Sequence, residues 1–206
     1  MWSEQIIMML LEGIKDTLYM TLTSTLIGYV IGLPMGIFLT VTDKDGIHPN
    51  AAVYKVLDVI ANLIRSVPFL ILLIVLIPFT RFLIGRSYGP TATIVPLVIA
   101  AAPYIARMVE SSLKEVDAGV IEAARSMGAS NFTIVTKVML VEARTSLIVG
   151  ATISLGTILG YSAMAGTVGG GGLGDIAIRY GYTRWQTDIM VVTVILLVIL
   201  FQIFQT

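Results

Sequence analysis

Cysteine is absent from the sequence, histidine occurs once, and Asp, Glu, Lys and Arg together make up only 13% of it. Without cysteine there is no disulfide, no thiolate nucleophile and no thiolate metal site. The single histidine, His48, lies in a turn beside Pro49, with no second imidazole to complete a metal site or a catalytic triad. No G-x-x-x-x-G-K-[ST] segment occurs, so this chain has no loop with which to cradle and hydrolyse a nucleotide. Gly169, Gly171 and Gly174 fit G-x-G-x-x-G, but no strand precedes them and no βαβ unit surrounds them, which removes the meaning of the pattern. Lys+Arg and Asp+Glu balance at 13 each. There is thus no basic stripe to neutralise phosphates, and nucleic-acid binding is not expected. A cleaved leader is not expected either, since Glu4 and Glu12 stand where a basic region would be. The short apolar stretch Ile6 to Leu11 is expected to lie in the membrane interface.

What the chain has instead is apolar length. Hydrophobic residues make up 56% of it, and the mean hydropathy is +0.91. A soluble domain carries about a quarter charged residues, because a wet surface has to be covered. Here no Asp, Glu, Lys, Arg or His falls between Thr17 and Thr42, between Ser66 and Thr80, or between Thr145 and Gly174. A helix needs about 20 such residues to cross about 30 Å of hydrocarbon. Five spans follow, at about 17–41, 53–79, 91–109, 145–164 and 189–204, in a single all-α integral membrane domain covering 1–206. The longer connection, about 110–144, carries much of the remaining charge. With the N-terminus outside, the inner loops hold Lys44, Lys55, Arg107, Lys114, Arg125, Lys137 and Arg144, and the outer ones Lys15, Arg81, Arg86, Arg179 and Arg184. That excess inside favours this orientation.

Small residues mark packing faces. Gly28, Gly32 and Gly36 recur every fourth position on the first span, as do Gly156 and Gly160 on the fourth. This spacing lets helix backbones approach closely where no water drives association. Pro34, Pro68, Pro78, Pro96 and Pro103 fall in or at the ends of spans, each freeing a carbonyl and permitting a kink. So many kinks suit a moving gate better than an inert anchor. Arg65, inside the second apolar segment, is expected to face the bundle interior, a wet cavity or the carbonyls freed by Pro68. The glycine-rich segment Ala165 to Tyr182 is expected to be a hinge loop.

Within the long connection, the spacing predicts a short helix. Asp117 is placed to cap it, Glu122 lies near its positive end, and Gly128 is suited to end it in the left-handed conformation. Ser130 then caps a second helix that rises back into the membrane. Ile121, Ala124 and Met127 are expected to form an exposed apolar face for a partner's groove.

Glu122-Ala123-Ala124, with Gly128 and a hydrophobic stretch to Val138 and Leu140, resembles the EAA loop of permease subunits of bacterial ABC importers. Where that pattern has Ile and then Pro, this chain has Val138 and Val141. The resemblance extends nearly end to end. Arg65 to Phe69, Ala101 to Glu110, Gly160 to Met164 and the Gly169 to Gly174 segment narrow it to the methionine branch. It implies a type I importer permease fold in the bacterial inner membrane, surrounded by lipid, that moves L- and D-methionine by alternating access. It also implies a homodimer, two ABC ATPase subunits that carry ATP and Mg, and a periplasmic or lipid-anchored substrate-binding protein. No cofactor or metal is expected in this chain itself, and no enzymatic activity. The ATPase-docking residues would be Glu122, Ala123, Ala124, Arg125, Met127 and Gly128. Tyr161 and Met164, at the end of the fourth span, would form a gate on the substrate path, methionine being soft and polarizable. A permease for another small amino acid, and a self-sufficient channel or secondary transporter built around Arg65 and the prolines, are the other readings.

Overall fold

The computed structural model describes residues 4–205, and all regular structure among the described residues is helical. Helix α1 runs from Glu4–Thr42, with Glu4 in its first turn, where a carboxylate meets the positive end of the helix dipole. Ile6 to Leu11 forms the opening turns of α1, continuous with the first span. Nothing in that stretch breaks a helix, and Leu10, Gly13 and Thr17 are buried along one stripe. At about 1.5 Å per residue the helix is about 58 Å long, more than the hydrocarbon layer requires.

The expected second span is divided. Helix α2 covers Ala51–Ser66 and α3 covers Phe69–Val75, and the two meet at a bend of 102°. The cause is Pro68, extended at φ −55° and ψ 134°. Its ring also disfavours helical geometry at the preceding residue, so α2 stops before it and α3 starts after it in a new direction. Helix α4 (Ile77–Ile84) follows, opened by Pro78 in its first turn and ended by Gly85 in the left-handed region at φ 82°. Helix α5 spans Pro90–Lys114, α6 Ala118–Ser126, α7 Asn131–Thr133 and α8 Leu140–Glu142, with a π-helical turn at Ile134–Met139. Helix α9 is Arg144–Ala165, α10 is Gly172–Ile176, a second π-helical turn takes Ala177–Tyr182, and α11 is Thr187–Gln205. Among the described residues, α1, α5, the run from α9 to Tyr182 and α11 are long and apolar enough to cross a membrane, and the bent α2–α3 pair makes a fifth candidate.

The chain clusters into two compact units. One comprises the chain up to Ile27, Val67–Ala100, and the chain from Leu155 onward. Its core holds Leu10, Leu159, Leu173, Ile176, Ile189 and Leu200. The glycine-rich segment belongs to this core and is not an open hinge loop. Gly166 and Gly174 lie so close to backbone that a Cβ on either would strike Asp175 N and Ala163 O respectively. The Leu173 N–H donates to Thr17 Oγ1 at 2.9 Å, and that hydroxyl donates to the Gly13 carbonyl at 2.8 Å. The glycines are there for close approach and for the positive φ at Gly169, Gly171 and Gly172.

The other unit comprises Gly28–Ser66 and Ala101–Ser154. Its centre is the contact between the glycine triplet of α1 and α5. A Cβ on Gly32 would lie 2.6 Å from the Ala102 carbonyl oxygen, and one on Gly36 2.5 Å from that of Ala106. Gly28 is less tightly covered, 3.0 Å from the tip of Ile105 and 3.1 Å from Ala101 Cβ.

Candidate functional site

The short helix α6 is built as a well-capped knob. Asp117 Oδ1 accepts from the Gly119 N–H at 2.7 Å at its start. At its end Gly128 turns left-handed at φ 81°, its N–H donating to the Arg125 carbonyl at 2.9 Å while Ala129 N–H donates to Ala124 at 3.1 Å. These two bonds are the Schellman pair that satisfies the last carbonyls of a helix. The Ser130 hydroxyl accepts from Thr133 N–H at 3.2 Å and caps α7.

Of the three residues expected on the exposed side of α6, Met127 is exposed and the other two are not. Ala124 is buried and Ile121 is half-buried, whereas Val120, Met127 and Phe132 stand exposed, Met127 at 82% and Phe132 at 78%. The turn at Gly128 swings Met127 and Phe132 outward beside Glu122, Ala123 and Arg125, all exposed. Periodicity alone leaves the side open, because small and apolar residues line both faces of so short a helix.

Behind α6 lies a cavity of about 480 Å³ lined by residues that include Asp43, Ile47, Lys114, Ile121, Glu122 and Arg125. Arg125 donates across its edge to the Ile47 carbonyl at 3.0 Å. Deeper in this unit a chain of charges runs along α5. Arg107 pairs with Asp58 of α2 and with Glu110 at 2.7 Å, and donates to Asn62 at 2.9 Å. Glu110, only 5% exposed, also holds Lys114 at 2.8 Å, and Lys114 reaches Asp43 just beyond α1 at 2.6 Å. The hydrogen bond from Lys114 holds the Asp43 carboxyl below the usual carboxylate range, against the opposing effect of burial.

This network was not anticipated. Glu110 to Lys114 belong to α5, not to the connection, and Arg107, Glu110 and Lys114 share one face at spacings of three and four. That spacing is the signal a sequence offers. The partners Asp58 and Asp43 come from distant segments and leave none. Arg65, by contrast, is exposed in the last turn of α2 and not buried within this chain, because α2 ends at Ser66 ahead of Pro68. In the first unit, Tyr161 is half-buried and stacks flat on the buried Phe69, with ring centroids 4.5 Å apart and planes 5° from parallel. Met164, one turn on, is 47% exposed. Among the described residues no group of three His, Cys, Asp or Glu could hold a metal ion.

A capped, solvent-facing helix between apolar spans is the feature that distinguishes this chain from a plain bundle. The family described as binding-protein-dependent transport system inner membrane component matches it over residues 28–206. The chain belongs to that family. Members are inner-membrane components of transport systems, and this chain carries the type I importer permease fold expected from its sequence. Among curated relatives it is 48% identical to a probable D-methionine transport system permease protein MetI of Vibrio cholerae, over 96% of this chain and 88% of that protein. It is 51% identical to the D-methionine transport system permease protein MetI of Escherichia coli K12, over 80% of this chain and 76% of that protein. A solved structure described as inward-facing conformations of the MetNI methionine ABC transporter superposes with a TM-score of 0.96 at 49% identity, covering 99% of this chain and 94% of that one. An amino acid ABC transporter solved with histidines shares the fold at 22% identity and a TM-score of 0.79.

Proposed function

We propose that this chain is the permease subunit of an ATP-driven importer that carries methionine, in its D and L forms, across the inner membrane by alternating access. The observation that carries the reading is α6, a rigid capped helix with exposed Glu122, Ala123 and Met127 between apolar helices, in a chain so similar to methionine permeases. An apolar, solvent-facing surface of this kind costs free energy unless a partner covers it. In this reading two copies of the chain, each a single 1–206 domain with its N-terminus outside, form the pathway along a two-fold axis. Each α6, with Ala124, Arg125 and Gly128 shaping it, seats in a separate ATPase subunit that binds ATP and Mg. A periplasmic or lipid-anchored protein delivers substrate. Nucleotide binding draws the two α6 helices together and opens the pathway outward, and hydrolysis resets it. Met164, exposed at the end of α9 and backed by the Tyr161–Phe69 stack, acts as the gate.

The test is affinity purification of the chain from native membranes followed by reconstitution. An ATPase subunit should co-purify, and labelled methionine uptake should require ATP. Glu122→Arg should lose the ATPase while leaving the permease folded. Uptake without ATP, or an intact complex with that variant, would overturn the reading. Met164→Ala should keep the ATPase bound yet raise hydrolysis without transport; unchanged coupling would remove the gate.

A further inference from the structure

The charge chain along α5 reaches α6 by a route that is bonded at each step. The turn after α1 is compact: Gly46 N–H donates to Asp43 at 2.9 Å, His48 to Val41 at 3.0 Å and Asn50 to Thr42 at 2.9 Å. Arg125 of α6 is bonded to this turn at Ile47, and Asp43 of the same turn is held by Lys114 of α5. Lys114 shares the buried Glu110 with Arg107, and Arg107 fixes α2 through Asp58 and Asn62. A buried carboxylate between two cations resists losing either, because a poorly compensated charge would remain in a low dielectric. The end of α1, the middle turns of α2 and the last turns of α5 are thereby tied to one another, and the Arg125–Ile47 bond ties α6 to them.

We propose that Asp43, Lys114, Glu110, Arg107 and Asp58 form a positioning network that, through Arg125 and the Ile47 carbonyl, makes α2 and the adjoining ends of α1 and α5 follow α6 when a docked ATPase moves it. The inference rests on the reading of α6 as the ATPase-docking helix. It adds the path by which that motion reaches the spans. Ion pairs serve better here than apolar contacts. In lipid-facing helices apolar surfaces slide at little cost, whereas a directional bond from a cation fixes both register and distance.

The experiment uses the reconstituted complex of this chain with its ATPase and reads substrate imported per ATP hydrolysed, together with ATPase co-purification. Lys114→Met should retain the ATPase and its hydrolysis, while import per ATP falls roughly 10-fold to 100-fold, the worth of one hydrogen bond from a charged donor. Lys114→Arg keeps a cationic donor within reach of Asp43 and Glu110 and should recover most of the ratio. A merely structural bond would lower uptake and hydrolysis in proportion, and an unchanged ratio would likewise overturn the network. A parent complex that lacks the ATPase would overturn the reading of α6 instead.

A second measurement keeps the test independent of turnover. The absence of cysteine lets labels be placed at Lys55→Cys and Ser126→Cys alone. Their separation should be the same with and without nucleotide in the parent and should change with nucleotide in Lys114→Met. A separation that changes in the parent refutes the proposal.

Discussion

Adding one methyl group to each glycine of the α1 triplet should separate two outcomes that sequence spacing treats as equal. At Gly32 the new Cβ would sit 2.6 Å from the Ala102 carbonyl oxygen and 2.9 Å from Ile105 Cβ, both fixed by backbone. At Gly36 the corresponding distances are 2.5 Å to the Ala106 oxygen and 2.7 Å to Val109 Cβ. Neither neighbour can rotate away, so the helices themselves must separate by about 0.5–1 Å, which forfeits a quarter to a half of each contact along the seam. Overpacking of this kind costs about 3 kcal/mol, and the better helix propensity of alanine returns about 1 kcal/mol. Gly32→Ala and Gly36→Ala should each therefore lose about 2 kcal/mol, a fall of roughly 4–8 °C in melting temperature for a chain of this size. Gly28→Ala meets the flexible tip of Ile105 at 3.0 Å and Ala101 Cβ at 3.1 Å, which need give by only a few tenths of an ångström, and should lose well under half as much. Gly160→Ala meets nothing within 4 Å in this chain and should not lower the temperature at all. The assay is thermal unfolding of the purified protein in one detergent, with all four variants side by side. Equal losses at Gly28 and Gly32, or no loss at Gly36, would refute the reasoning, because both would mean that the seam is free to open.

Three other perturbations follow from single features. Gly128→Ala has open space around it but forces alanine to φ 81°, so it should cost about 1 kcal/mol, with Gly128→Asn costing less; thermal melts of the pair decide it. Gly174→Ala would drive a Cβ into the Ala163 carbonyl and should sharply reduce the yield of monodisperse protein, whereas the expected hinge loop would have tolerated it. The Asp43 carboxyl is depressed in the folded state by its bond from Lys114. Its stabilising contribution is therefore full above the unfolded pKa of about 4 and is lost as pH falls through the lowered folded value. Asp43→Asn should lower the melting temperature at pH 6 and shrink the further loss between pH 6 and pH 3; an identical acid profile would remove Asp43 from the network.

How much of this was legible in the sequence depended on how local the physics is. The apolar runs were legible because a bilayer imposes length on each helix separately, and α5, α9 and α11 contain the expected 91–109, 145–164 and 189–204. The caps of α6 were legible because Asp117 and Gly128 act within a few residues of themselves. Pro68 announced a break but not its angle, since a missing N–H says where a helix ends and not where the next one points. The glycine-rich segment misled because glycine has two uses, freedom and closeness, and only the presence of Ala163, Asp175 and Thr17 around it selects closeness. Arg65 and Arg107 show the limit most sharply. Both are cations in a chain that can ill tolerate them, and the one whose position looked costlier is exposed at a helix end. The other is tied to Asp58, Asn62 and Glu110, because what decides the cost of a charge in an apolar protein is the partner that arrives from elsewhere in the chain.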